Sequence, residues 1–157
     1  RLAAASRVGL VQTLPGPTGE RNTYRLLGRD AVLCLADADT DRLVQLAAVL
    51  AVGAHAIWPT EAAALAERLP PEVARHLELR ATALQASGRL DAVLLHGPPE
   101  SARAVLRALA ERPGPVVSLT RCAAGDTGVP LERLVIERSV SINTAAAGGN
   151  ASLMTLD

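Results

Sequence analysis

Short apolar runs recur along the middle of the chain at a nearly constant interval, and this rhythm limits the fold more than any other feature. The runs are AVLCLA at 31–36, AHAIW at 54–58, HLELRA at 76–81, DAVLLHG at 91–97 and PVVSLT at 115–120. Alanine- and leucine-rich stretches with helical spacing separate them. Alternation of strand-like and helix-like segments is the signature of a parallel sheet with crossover helices. The pattern therefore predicts an α/β fold with a Rossmann-like core over 30–125, built on a parallel sheet of about five strands with flanking helices.

Punctuation supports the same division. Thr40 or Asp39 can cap a first helix whose apolar side chains Leu43, Leu46, Ala47 and Leu50 face the sheet, and Gly53 ends it. A second helix opens at Thr60 and closes at Pro70 and Pro71. Pro99 occupies the first turn of a helix running to Arg112, and a short helix is expected around Thr82 to Ser87.

The flanks read differently. VGLVQTL and NTYRLLG are strand-like and joined by PGPTGER, which has enough proline and glycine to reverse the chain. In LERLVIERSVSIN, Leu134, Ile136, Val140 and Ile142 share one side and Glu137, Ser139 and Ser141 the other. Segments 8–28 and 133–143 are thus expected to form a small antiparallel β-flap, too thin to bury much on its own. An extended C-terminal tail, 144–157, follows in a chain whose 157 residues suit one domain.

Composition excludes several functions. Sixteen basic residues, all arginine, balance sixteen acidic ones, which leaves no electrostatic footprint for nucleic acid. No transmembrane segment and no signal peptide are read, so a cytoplasmic location is expected. Cys34 and Cys122 match no metal or redox spacing and read as buried free thiols; the scattered His55, His76 and His96 make no metal site.

A Rossmann-like core directs attention to the loops at the C-terminal ends of its strands. After the first strand the chain reads ADADTDR, placing Asp37, Asp39 and Asp41 where a pyrophosphate would need backbone donors and no competing anions. After the fourth, Pro98 and Pro99 remove two donors. Cys122, in TRCAAG, has no histidine near it in sequence and no recognisable nucleophile setting.

GPTGERNTYRL, DAVLLHGPPESARAVLRALAERPGPVVSL and, above all, ERLVIERSVSINTAAAGGNASLMTLD resemble the C-terminal region of bacterial proline utilization A proteins. Those long polypeptides combine a flavin-dependent proline dehydrogenase with a nicotinamide-dependent 1-pyrroline-5-carboxylate dehydrogenase. The resemblance implies FAD and NAD in the parent polypeptide, and a domain of aldehyde-dehydrogenase-superfamily fold cut out from that parent. It further implies a parent that can associate peripherally with the membrane.

The resemblance also implies lost chemistry. Where aldehyde dehydrogenases carry a lysine-proline pair that reaches the cofactor ribose, this chain has Trp58-Pro59. Where they carry a glutamate general base, SLTRCAAG offers Cys122 or Arg121. A catalytic domain with its cysteine is missing. The domain is accordingly expected to be non-catalytic, with no catalytic residue, metal or cofactor of its own. Its role is that of a structural module that packs against the aldehyde dehydrogenase module of the parent chain and lids the cavity through which the intermediate passes.

Ser141, Ile142, Asn143, Thr144, Gly148, Gly149 and Asn150 are the expected interface. Small residues allow close backbone approach, and an uncharged strip avoids desolvating ions. The exposed flap edges could also pair in a homodimer. The alternative reading is an NAD-binding regulatory module using the Rossmann-like cleft; charge reversal at Asp37, Asp39 and Asp41 would affect only that second reading.

Overall fold

The computed structural model describes residues 2–85 and 88–143. In chain order its elements are α1 (Leu2–Ala5), β1 (Val11–Leu14), β2 (Glu20–Gly28), β3 (Ala31–Ala36), α2 (Asp39–Ala51) and β4 (His55–Pro59). A 3₁₀ turn (Thr60–Ala62), α3 (Ala63–Ala66), α4 (Pro71–Ala74), β5 (Leu77–Arg80), β6 (Ala92–His96) and α5 (Pro99–Ala110) follow. The chain continues through β7 (Ser118–Cys122), a second 3₁₀ turn (Leu131–Leu134) and β8 (Val135–Asn143).

Five strands form an all-parallel sheet in the order β5-β4-β3-β6-β7. The strand order reverses between β3 and β6, so the crevice at their C-terminal ends is the topological switch point. Side chains of the central strands alternate between two buried layers. Val32, Cys34, Ala56, Trp58 and Leu94 pack with Leu46 and Val49 of α2; Leu33, Ile57, Val93 and Leu95 pack with Val105 and Leu109 of α5. Burial on both faces is why these strands read as continuous apolar runs.

Several local expectations need correction. Helix α2 is preceded by Ala38, in extended conformation with no side-chain cap, and Asp39 and Asp41 lie in its first turn, where the helix dipole favours them. Its sheet-facing side is rotated from the expected stripe. Leu46 and Val49 are buried, but Leu43 is 40 % exposed, because Asp41 and Gln45 take inward positions. The helix ends as anticipated: Gly53 adopts φ +71°, and the amides of Gly53 and Ala54 return to the carbonyls of Leu50 and Val49 at 3.0 and 3.1 Å.

Pro71 opens α4 rather than closing the preceding helix. Residues 81–85 form a turn with Thr82 at φ +49°, since so few residues cannot offset helix nucleation. Strand β7 begins at Ser118, after the Pro113-Gly114-Pro115 turn has left Val116 98 % exposed. Helix α1, one turn long, was too short to leave a periodic signal.

A second sheet, antiparallel and in the order β1-β2-β8, forms the flap. Leu134 does not join its apolar face: the second 3₁₀ turn buries it completely in the main core. The junction between the sheets is built by Arg29 and Asp91. Arg29 donates to the carbonyls of Arg133 (3.2 Å) and Asp91 (2.9 Å), and its own amide reaches Leu134 O at 2.9 Å. The Asp91 carboxylate accepts the amides of Asp30 and Ala31 at 3.0 and 2.9 Å. Gly28, at the end of β2, crosses so close to α2 that a Cβ there would stand 2.1 Å from the Val52 carbonyl oxygen.

That contact is with backbone and cannot be relieved by a rotamer change. Gly28→Ala is expected to destabilise the chain by about 1–3 kcal/mol, read as a lower urea midpoint. An unchanged midpoint would show that the flap can lift off α2 freely.

Candidate functional site

The switch-point crevice is lined by Ala36, Asp37, Arg42, Pro59, Glu61 and Gly97, among others, and encloses about 260 Å³. That is slightly under the usual range for small-ligand sites, about 300–1,000 Å³. Its polar groups are largely committed to one another. Gln45, with no exposed surface, donates through Nε2 to Leu35 O (2.9 Å) and contacts His96 Nδ1 (3.0 Å). Since the Leu35 carbonyl can only accept, the amide must turn its NH₂ group inward, and Nδ1 is the acceptor. His96 therefore carries its proton on Nε2 and donates to the Asp126 carbonyl at 2.8 Å.

The loop after β7 completes the arrangement. The Asp41 carboxylate accepts the Gly125 amide at 3.0 and 3.1 Å, and Arg121 Nη1 donates to Gly97 O at 3.0 Å. Arg42 turns its guanidinium onto the Ala36 carbonyl and onto Asp39 at 3.3 Å. Asp37 and Glu61 remain on the crevice wall. Two carboxylates face any ligand there, and the proline pair at the start of α5 offers no amide where a pyrophosphate needs free donors.

The residues singled out in sequence are dispersed. Trp58 is fully buried in the layer beneath α2, so its indole does not line the crevice, whereas Pro59 does. The indole Nε1 has no hydrogen-bond partner, although it bears on the Cys34 sulfur closely enough to favour the thiolate. Cys122 is buried in the same layer. Burial drives the Cys34 thiol up to about 12 despite the opposing Arg42 charge. Burial also raises Cys122, with Asp126 and Asp41 adding to the shift and Arg121 opposing it. Both cysteines are free thiols, and neither is poised as a nucleophile. Among the described residues no cluster of His, Cys, Asp and Glu could hold a metal ion.

Sequence reasoning missed Gln45 and His96 as partners. A polar residue at position 45, four after Asp41 and beside Leu46 and Val49, was the available signal that α2 turns a polar strip inward.

At the flap, Ser141, Ile142 and Asn143 lie opposite Asn22, Arg21 and Glu20, and all of β8 beyond Val135 is exposed. The Ser141 hydroxyl donates to Asn22 Oδ1. Thr144, Gly148, Gly149 and Asn150 lie outside the described residues. No helix among the described residues is long and apolar enough to cross a membrane.

No family model matches the chain. It is 50 % identical over 158 residues to the Bifunctional protein PutA of Salmonella typhimurium, an alignment covering 99 % of this chain and 12 % of the relative. The chain thus spans about an eighth of the relative's length. Among solved structures, a variant of Bradyrhizobium japonicum proline utilization A superposes with a TM-score of 0.59 at 30 % identity, over 80 % of this chain and 15 % of that one. An NAD-dependent benzaldehyde dehydrogenase from Corynebacterium glutamicum gives a TM-score of 0.52 at 16 % identity, over 73 % and 29 %, a likeness of fold alone.

The pKa of Cys34 predicts how the chain responds to alkali. A thiol raised from about 9 to about 12 stabilises the fold below pH 9, and that contribution is lost progressively as pH rises towards 12. Urea midpoints should therefore fall steeply above about pH 9, and less steeply in Cys34→Ala. Ellman's reagent at neutral pH should label neither cysteine until the chain is unfolded.

Proposed function

We propose that this chain, homologous over nearly its whole length to the bifunctional PutA proteins and built on the aldehyde-dehydrogenase-like fold, is a non-catalytic structural module of such an enzyme. In this reading the parent oxidises proline to glutamate with FAD and NAD held elsewhere in the polypeptide. The module packs against the 1-pyrroline-5-carboxylate dehydrogenase portion, stabilises it and lids the cavity that the intermediate crosses.

The observation that carries the reading is the switch point, whose polar groups are largely engaged with one another. The residues there do not fit a dinucleotide: Gln45, His96 and Asp41 spend their polar groups on the protein itself, Arg42 is turned inward, and the remaining walls are acidic. The flap contrasts with it, since β8 is exposed beyond Val135 and stands ready for contact. Thr144, Gly148, Gly149 and Asn150, which follow β8 in the sequence, complete the proposed interface.

Calorimetric titration with NAD tests the loss of the cofactor site. No saturable heat is expected at concentrations that would register a Kd of about 1 mM; a saturable isotherm would instead support a regulatory cofactor sensor. Removal of residues 144–157 from the intact enzyme is expected to leave proline oxidation unchanged while lowering glutamate formation and releasing intermediate to a trapping reagent. Unaltered transfer would dismiss the lid.

A further inference from the structure

The three flap strands separate their charges by face. Directly opposed residues of antiparallel strands share a side of the sheet, and the register opposes Arg25 to Arg138 and Arg21 to Ile142. All three arginines of the flap strands therefore lie on one face. Glu20 and Glu137, the only acidic residues in these strands, fall on the other by the same alternation.

The acidic face turns towards its own chain. Tyr24, Leu26, Val135 and Glu137 line a cleft shared with Ala5, Arg7 and Leu131, and Leu26 is buried there. The arginine face points outward, and it also carries Val11, Ile136, Val140 and Ile142, between 37 and 57 % exposed. Among the described residues, no ion pair or hydrogen bond engages the side chains of Arg21, Arg25 or Arg138.

Arg25 opposite Arg138 is the informative pair. Like charges directly across a ladder are destabilising, and nothing on this face neutralises them. Aliphatic neighbours on the same face, Leu27 with Ile136 and Val140 beside Thr23, make contact with solvent equally unrewarding. Both costs are removed by one kind of occupant: a surface that places a carboxylate between the two guanidiniums and apolar side chains around it.

We propose that the outward flap face is a docking surface for a carboxylate-bearing, apolar-flanked surface supplied by the rest of the parent polypeptide. This rests on the module reading above, and the relative's length leaves ample chain to provide it. A second copy docked face to face would set arginine against arginine. A bilayer is the poorer match, because interfacial elements separate a cationic face from an apolar one, whereas here arginines and aliphatic side chains share one face that carries no aromatic side chain.

The test uses Arg25→Glu and, as a milder variant, Arg25→Gln, each in the 157-residue chain and in the intact enzyme. In the isolated chain Arg25→Glu replaces a like-charged pair with an opposite one, so its Tm should rise by about 2–5 °C. In the intact enzyme, amide exchange across residues 135–143 should accelerate at least roughly tenfold for Arg25→Glu and less for Arg25→Gln. Opposite signs in the two settings would separate docking from mere folding. Exchange that is slowed by the intact enzyme but indifferent to both variants would overturn this inference and leave the module reading standing. Exchange in the wild type no slower than in the isolated chain would defeat both. Wild-type co-sedimentation with phosphatidylglycerol vesicles, lost in Arg25→Glu, would overturn it in favour of a membrane surface.

Discussion

The amide of Gln45 closes the place where this kind of sheet is ordinarily open. Strands β3 and β6 are neighbours whose crossovers depart in opposite directions, and a gap remains at their C-terminal ends. Gln45 spans it from α2, reaching the Leu35 carbonyl of β3 and the His96 ring at the end of β6. His96 passes the connection to Asp126, and the adjoining Gly125 amide returns to Asp41 on the same helix. Helix, two strands and the loop after β7 thus form a closed circuit. Each neutral bond contributes only about 0.5–1.5 kcal/mol net, but deleting one member strands a buried partner at about 1–3 kcal/mol. The circuit is therefore costly to break at any one member.

That closure leaves some buried polar atoms unpaired. Arg42 Nε, Gln45 Oε1 and Trp58 Nε1 are buried without partners, and all three lie in or beneath α2, around the switch point. Buried polar atoms are ordinarily paired, so their clustering at one place is informative. Elsewhere the polar accounting is tight: at the flap junction the Asp91 carboxylate serves two successive amides while Arg29 reaches carbonyls from two different segments. Imperfect pairing is thus concentrated around the C-terminal ends of the strands, where open sheets of this kind ordinarily receive ligands.

How much was legible in sequence follows from which physical signal each element rests on. Strand β3 was readable residue for residue, because both of its faces are buried and the apolar run ends where burial ends. The end of α2 was readable because only glycine settles comfortably at φ +71°. Its inward face was not, because an apolar stripe predicts the buried side only when no polar residue is needed there, and Gln45 and Asp41 are needed. Alternation alone places Leu134 in the flap; a 3₁₀ turn shifts the phase, and two-residue periodicity cannot register that. Hydrogen bonds joining residues 45, 96 and 126 depend on topology and have no local signature.

Net neutrality also concealed a pattern that only the register reveals. Sixteen arginines against sixteen acids exclude a charged surface on average, and nothing in that total anticipates a flap with cations on one face and carboxylates on the other. Such a sheet gains little from its own packing: Leu26 is its only buried apolar side chain, and β8 contributes none. Three strands that bury so little are marginal in water. What holds them is the junction, where Gly28 lets the backbone meet α2 and Arg29 ties the second 3₁₀ turn to Asp91. A rigid closed core therefore has a mechanical value independent of chemistry. It fixes one end of a weak sheet in a single orientation, and only from a fixed base can an otherwise unstable surface be presented to a partner without the entropy cost of finding its pose.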